Sequence, residues 1–531
     1  MSSTMGAWEA QGRILGHGRI SLSCGTCALI LLAAVLGRGT ARAEPTYARD
    51  GELNQDTVIE LARNLARSPF AAPKAELPAT LQSLDYDQYR DIRFRPEEAI
   101  WAKDAGSFFR VQLLSRGWLF EDPVEIAIVT DGKARHLAYR PELFTTGKVM
   151  QAHLPEGDIG FSGLRALFPI NHPTVFDEIA VFQGASYFRS LGRNQGYGLS
   201  ARGLAIKTGD PGGEEFPAFR AFWLDRPTRG GQALVVHALL DSPSATGAYR
   251  FTIRPGFATV MEVDVVLFPR TKIDEIGLAP ASSMFMFSAN GRHEVDDYRP
   301  QVHDSDGLLI INGNDEHLWR PLANPKELQM SMFEDRSPKG FGLTQRDRDP
   351  ADYQDFEAHY ERRPSLWVEP KSDFGQGAVV LTEIPTDAEI HDNIVAFWRP
   401  HAPIAADSEY RYSYRLYWNE GPKAEHDFAR VLATRRGRAD PLAPTPVRRF
   451  VIDFAKAPGK ARSGHALPTA TVTASAGAIK DIVVYENALT QGYRVSFTLD
   501  PKQAKLCELR AELVFKDERR AETWVYRWTK P

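Results

Sequence analysis

Between Asp296 and Trp398 the sequence crowds acids, aromatics and arginines into short blocks. They read DDYRPQVHDSDGL (296–308), GNDEHLWRPL (313–322), PKGFGLTQRDRD (338–349), YQDFEAHYERRPSLWVEPK (353–371) and IPTDAEIHDNIVAFW (384–398). Aromatic rings stack on the C–H faces of sugars, while carboxylates, amides and guanidinium groups bind sugar hydroxyls. A pair of carboxyl groups flanking a glycosidic bond can hydrolyse it, one as general acid and the other activating water or the sugar. The region holds more acids than spacing alone can choose among. The same residues would serve equally as solvated loops around a sheet core, so residue types alone leave a sugar site and a plain surface level.

Other catalytic signatures are absent. Gly160-Phe161-Ser162-Gly163 has the start of a nucleophile elbow, but Leu164 stands where the second glycine should be. Phosphate-cradling glycine loops and HExxH are missing, and His303-Asp304-Ser305-Asp306-Gly307 lacks the remaining ligands of a calcium loop.

The elements that must position these blocks read as sheet. One helix is expected near the start, where Asn54 and Asp56 offer caps and Val58, Leu61, Ala62 and Leu65 share a face. Beyond Pro69 come short apolar or alternating runs, such as 108–114, 124–129, 234–240, 249–253, 260–268, 308–312 and 410–418, punctuated by Gly, Pro, Asn and Asp. That pattern predicts an all-β fold with antiparallel sheets packed as a sandwich. A charged, Pro-rich stretch follows, and the six runs beyond it predict a small immunoglobulin-like sandwich.

The 531 residues carry a net charge of −4, with 43% hydrophobic residues and 11% aromatics. Balanced charge gives no footprint for nucleic acid. Arg13 and Arg19, the apolar run 27–37 and Thr40-Ala41-Arg42-Ala43 predict a signal peptide over 1–43, cleaved after Ala43. The run is too short for a stable membrane anchor. The mature chain then has 60 basic and 67 acidic side chains, a net −7, and keeps only Cys507. One cysteine makes no internal disulfide and no Cys-based zinc site.

Ten blocks, in order, give the chain a resemblance to a known family. They include FSGLRALFPIN (161–171), GASYFR (184–189), YGLSARGLAI (197–206), YRPQVHDSDGL (298–308), PKGFGLTQRDR (338–348), RRPSLWVEPK (362–371) and EIPTDAEIHDNIVAFW (383–398). The chain resembles, over nearly all of its mature length, the periplasmic glucan biosynthesis protein family OpgG/OpgD (MdoG/MdoD). The resemblance implies a large galactose-mutarotase-like β-sandwich bearing a cleft, followed by an immunoglobulin-like domain; with the charged, Pro-rich stretch as a linker (421–446), the two are expected over 44–420 and 447–531. It implies a periplasmic location, a β-1,2-glucan substrate, no metal or organic cofactor, and glucan-synthesis machinery at the inner membrane as a partner.

By position in the motifs, the resemblance implies Asp392 as general acid and Asp304 as general base of an inverting glycoside hydrolase. Asp392 must then stay protonated near neutral pH, and Glu389, three residues upstream, is expected to supply a like charge that helps. Tyr298, His303, Trp319, Arg320, Arg346, Tyr360 and Trp367 are the expected glucan-binding residues. His391 departs from the pattern, which favours a short polar residue there. Transglycosylation by the same carboxyls, and non-catalytic glucan binding or assembly, stay open as alternatives.

Overall fold

The computed structural model describes residues 46–73, 77–150, 153–292, 295–422, 428–442, 445–456, 467–515, 518–519 and 521–530. The expected signal peptide lies outside these residues.

The helix forms where its caps and apolar face predict, over Gln55–Ala66. Asn54 accepts from the Thr57 backbone and the Thr57 hydroxyl accepts from the Asn54 N–H, a reciprocal cap for two otherwise unpaired donors. Val58, Ile59 and Ala62 pack on Trp223, Leu239 and Ala248, so the helix covers the outer face of a sheet.

Everything else of size is strand, and the fold is an all-β sandwich. One sheet of sixteen strands runs through Ala218–Asp225, Leu234–Asp241, Ala245–Arg254, Thr259–Pro269 and Tyr410–Asn419 to Ser365–Pro370, Gly340–Thr344, Gly307–Ile311 and His317–Pro321. A second sheet of ten strands includes Gln376–Glu383, Ile394–Pro400, Ile276–Ser283, Ser200–Arg202, Tyr187–Ser190 and Val175–Gln183. Their inner faces share one apolar core, where Phe182 and Phe188 meet Phe251 edge-on. Ile276–Ser283 is buried at every residue, as a central strand covered on both faces must be. Among the described residues the strands pair antiparallel except where Ala218–Asp225 lies along Glu125–Thr130 and His317–Pro321 along Thr523–Thr529, with one isolated parallel bridge between Ala429 and Ala521.

The C-terminal residues build a second core around Phe450, Phe497, Trp524 and Tyr526. The stretch 421–446, expected to be a linker, contains the strand Val431–Arg438, which pairs with Arg448–Phe454 in a four-stranded sheet. Its charges hid that strand: Arg435 is half exposed on one side, while Val431 and Thr434 are buried on the other. The two cores are joined by continuous sheet, through Leu318 beside Thr523 and Trp319 beside Trp524. Cys507 is a buried free thiol in this second core.

Candidate active site

Two acids are hung from one short segment of backbone. Asp304 follows the two-residue strand Val302–His303, and its N–H donates to the Met284 carbonyl at 2.8 Å. Asp392 precedes the strand Ile394–Pro400, and its neighbour Asn393 is the clamp. Asn393 Oδ1 accepts from the Phe285 N–H at 2.8 Å, and its Nδ2 donates to the carbonyls of Phe285 and Ile384, each at 3.0 Å. Residues 284 and 285 therefore fix both carboxyls at once.

Both acids line a cavity of about 570 Å³, together with Arg189, Tyr197, Tyr298, Arg299, Asp355, Phe356, Tyr360, Arg363 and Glu389. Their surroundings differ. Arg363 donates directly to Asp304 Oδ1, with both side chains buried. Burial lifts the Asp304 carboxyl above its usual range, and the Arg363 and Arg189 charges oppose that lift. Asp392 has no guanidinium in hydrogen-bond contact; Arg189 is the nearest, 3.8 Å from Oδ2. Burial raises the Asp392 carboxyl, Arg189 opposes, and the Asp304 charge raises it further. One oxygen of each acid, Asp304 Oδ2 and Asp392 Oδ2, is buried without a hydrogen-bond partner. The pair is thus two buried carboxyls that burial raises, one in direct contact with an arginine and the other without such a contact, facing one cavity.

The structure places the other expected residues in two groups. Tyr298 and Tyr360 line the cavity; Tyr298 is 77% exposed at its rim, whereas Tyr360 is buried and donates to Glu389 at 3.3 Å. Glu389 also lines it, but pairs with Arg299 at 2.8 Å. The main like charge on Asp392 is Asp304, and Glu389 acts instead on Asp304.

The remaining five do not line this cavity. His303 is fully buried, stacked on Phe285 and bonded to Gln345, and burial pulls its imidazole down to about 4, so it is neutral. Trp319 and Trp367 are buried in the second core. Arg346 lies over the Trp319 ring, 3.5 Å from its centre, and pairs with Glu522 at 2.6 Å. Arg320 pairs with Glu383 at 3.0 Å, both fully buried. These tryptophans and arginines hold the two cores together. His391 sits 3.1 Å from the Thr386 hydroxyl and is not among the cavity residues.

Sequence reasoning missed the cavity's cations and one aromatic: Arg189, Arg299, Arg363 and Phe356. Arg189, Arg299 and Arg363 do fall inside blocks the resemblance rests on, in GASYFR, YRPQVHDSDGL and RRPSLWVEPK. A second cavity, of about 290 Å³, lies among Trp118, Phe182, Tyr187, Phe216 and Phe222; it holds no comparable pair of buried acids opposed by arginines. Among the described residues, no group of three or more His, Cys, Asp or Glu is arranged to hold a metal ion, and no helix is long and apolar enough to cross a membrane.

Comparison with known proteins matches residues 53–528 to the family model for the periplasmic glucan biosynthesis protein MdoG. A glucans biosynthesis protein G from Vibrio cholerae serotype O1 is 57% identical over 483 residues, covering 91% of this chain and 88% of the relative. Its counterpart from Shewanella putrefaciens is 56% identical over the same shares.

Proposed function

Because the chain belongs to the MdoG family of periplasmic glucan biosynthesis proteins, we propose that it shapes the glucan by cutting β-1,2-linked chains as an inverting glycoside hydrolase. The observation that carries this is the pair of buried carboxyls, Asp304 and Asp392, lining one cavity with unequal arginine partners. Asp392 gives its proton to the glycosidic oxygen as the bond to the anomeric carbon breaks. Water attacks that carbon from the opposite face of the sugar and its proton passes to Asp304, directly or through a relay of water and substrate hydroxyls. Arg363 opposes protonation of Asp304, and the unpartnered Asp304 Oδ2 is placed to accept. Tyr298 and Phe356, 77% and 73% exposed at the cavity, are suited to stack on glucose rings. The product stays in the periplasm, where the same chain is exported by its signal peptide.

Transglycosylation needs no other residues, only a sugar hydroxyl in place of water at the anomeric carbon. The deciding experiment is incubation of the mature protein with linear β-1,2-glucan, with and without an added short glucan acceptor. Shorter reducing products of inverted anomeric configuration are expected. Lengthened or cyclic products would assign transfer, and an unchanged polymer would leave glucan holding as the role.

A further inference from the structure

Arg189 is a buried cation with a defined post. It lies on the strand Tyr187–Ser190, is 2% exposed, and its Nε donates to the buried Ser200 hydroxyl at 2.7 Å. That bond aims its terminal nitrogen at Asp392 Oδ2 and stops it at 3.8 Å. The distance is too long for a hydrogen bond and short for a charge pair in a buried site. Asp392 Oδ2 has no hydrogen-bond partner. A neutral carboxyl tolerates that state far better than an ionised one, because a buried charge without donors is costly.

We propose that Arg189, tethered by Ser200, is a positioning residue that receives Asp392 Oδ2 as the carboxyl gives up its proton. A closure of about 1 Å turns the 3.8 Å approach into a charge-assisted hydrogen bond at normal length. The contact is absent while the acid waits and forms as its charge develops, so it stabilises the transition state more than the resting state.

The other charges around Asp392 do not substitute for it. Arg202 is anchored elsewhere, to Ser282 at 2.8 Å and Glu214 at 2.6 Å, with its guanidinium over the Tyr187 ring. Arg363 is committed to Asp304, whose charge opposes ionisation of Asp392. Arg189 is the cation with the largest opposing influence on burial of Asp392.

This inference rests on Asp392 as the acid, and the test separates the two. The pH dependence of kcat/KM on linear β-1,2-glucan is measured for wild type, Arg189→Met, Arg189→Lys and Ser200→Ala, with Asp392→Asn as reference. In Arg189→Met the alkaline limb moves up by about one pH unit or more, since losing a neighbouring cation raises a carboxyl. Its kcat falls by roughly 100-fold, the lower end of the scale of an acid–base contribution. Arg189→Lys recovers part of both effects, and Ser200→Ala shifts the limb in the same direction by less. A limb that stays in place in all three variants, or moves down, overturns the role of Arg189, whether or not activity is lost. Wild-type activity in Asp392→Asn overturns the underlying assignment instead.

Discussion

Arg363 donates to Asp304 inside the cavity wall, and both side chains are buried. This contact breaks the symmetry of the two acids. Without it, two buried carboxyls beside one cavity would compete for a proton with no assigned owner. With it, Asp304 has a contacting cation that opposes its protonation, and Asp392 has none at hydrogen-bond distance.

The first prediction is a bell-shaped pH profile. Burial raises both carboxyls above the usual carboxylate range of about 4. Activity falls at low pH as Asp304 is protonated and at high pH as Asp392 loses its proton, so both limbs lie above pH ~4. Replacing Arg363 by Met removes the cation that opposes protonation of Asp304, and the acid limb moves up. Initial rates on β-1,2-glucan between pH 4 and 9 check the order.

Stability gives a second readout with the opposite sign. A buried acid whose folded-state pKa is raised contributes fully below its unfolded value and loses that contribution as pH rises toward the folded value. Asp392→Asn removes this loss, so the variant is expected to be more stable than wild type at pH 7. The gain is about 0.5–2 kcal/mol, as for other relieved functional sites. It vanishes below pH ~4, where both states of the acid are neutral. Denaturant unfolding at the two pH values measures it.

The exposed rim aromatics act on affinity. Phe356→Ala and Tyr298→Ala each remove an aromatic contact worth about 0.5–1.5 kcal/mol, a two- to tenfold rise in KM. Their exposure leaves stability nearly unchanged.

The junction residues behave the other way round. Glu522→Gln leaves Arg346 buried without its counter-charge, with an expected loss of about 3–5 kcal/mol in stability. Trp319→Ala empties a large buried site between the cores and costs about 3–5 kcal/mol. KM of the folded fraction stays near wild type in both. A selective rise in KM would restore these residues to the glucan path.

The contrast between these two sets marks where sequence stopped informing. Period-two alternation gave strands such as Thr259–Pro269 and Tyr410–Asn419 to within a residue or two, because buried and more exposed residues alternate along much of each. It could not say which sheet covers a strand. Trp319 and Trp367 read equally as sugar platforms and as packing in the sequence, and the structure buries both in the second core. Arg363 and Arg189 carry no signal of their own in the sequence, since an arginine is rarely buried unless paired, and their partners lie 59 and 203 positions away in the chain. Asp304 and Asp392 became visible through the family motifs; spacing alone offered too many acids.

The most direct measurement compares wild type with Asp392→Asn on linear β-1,2-glucan, reading product length and anomeric configuration by NMR. The account predicts inverted, shorter oligosaccharides from wild type, and from Asp392→Asn a glucan that is bound with near-normal affinity but left intact. Cleavage by Asp392→Asn at the wild-type rate, or retained configuration in the wild-type product, would contradict it.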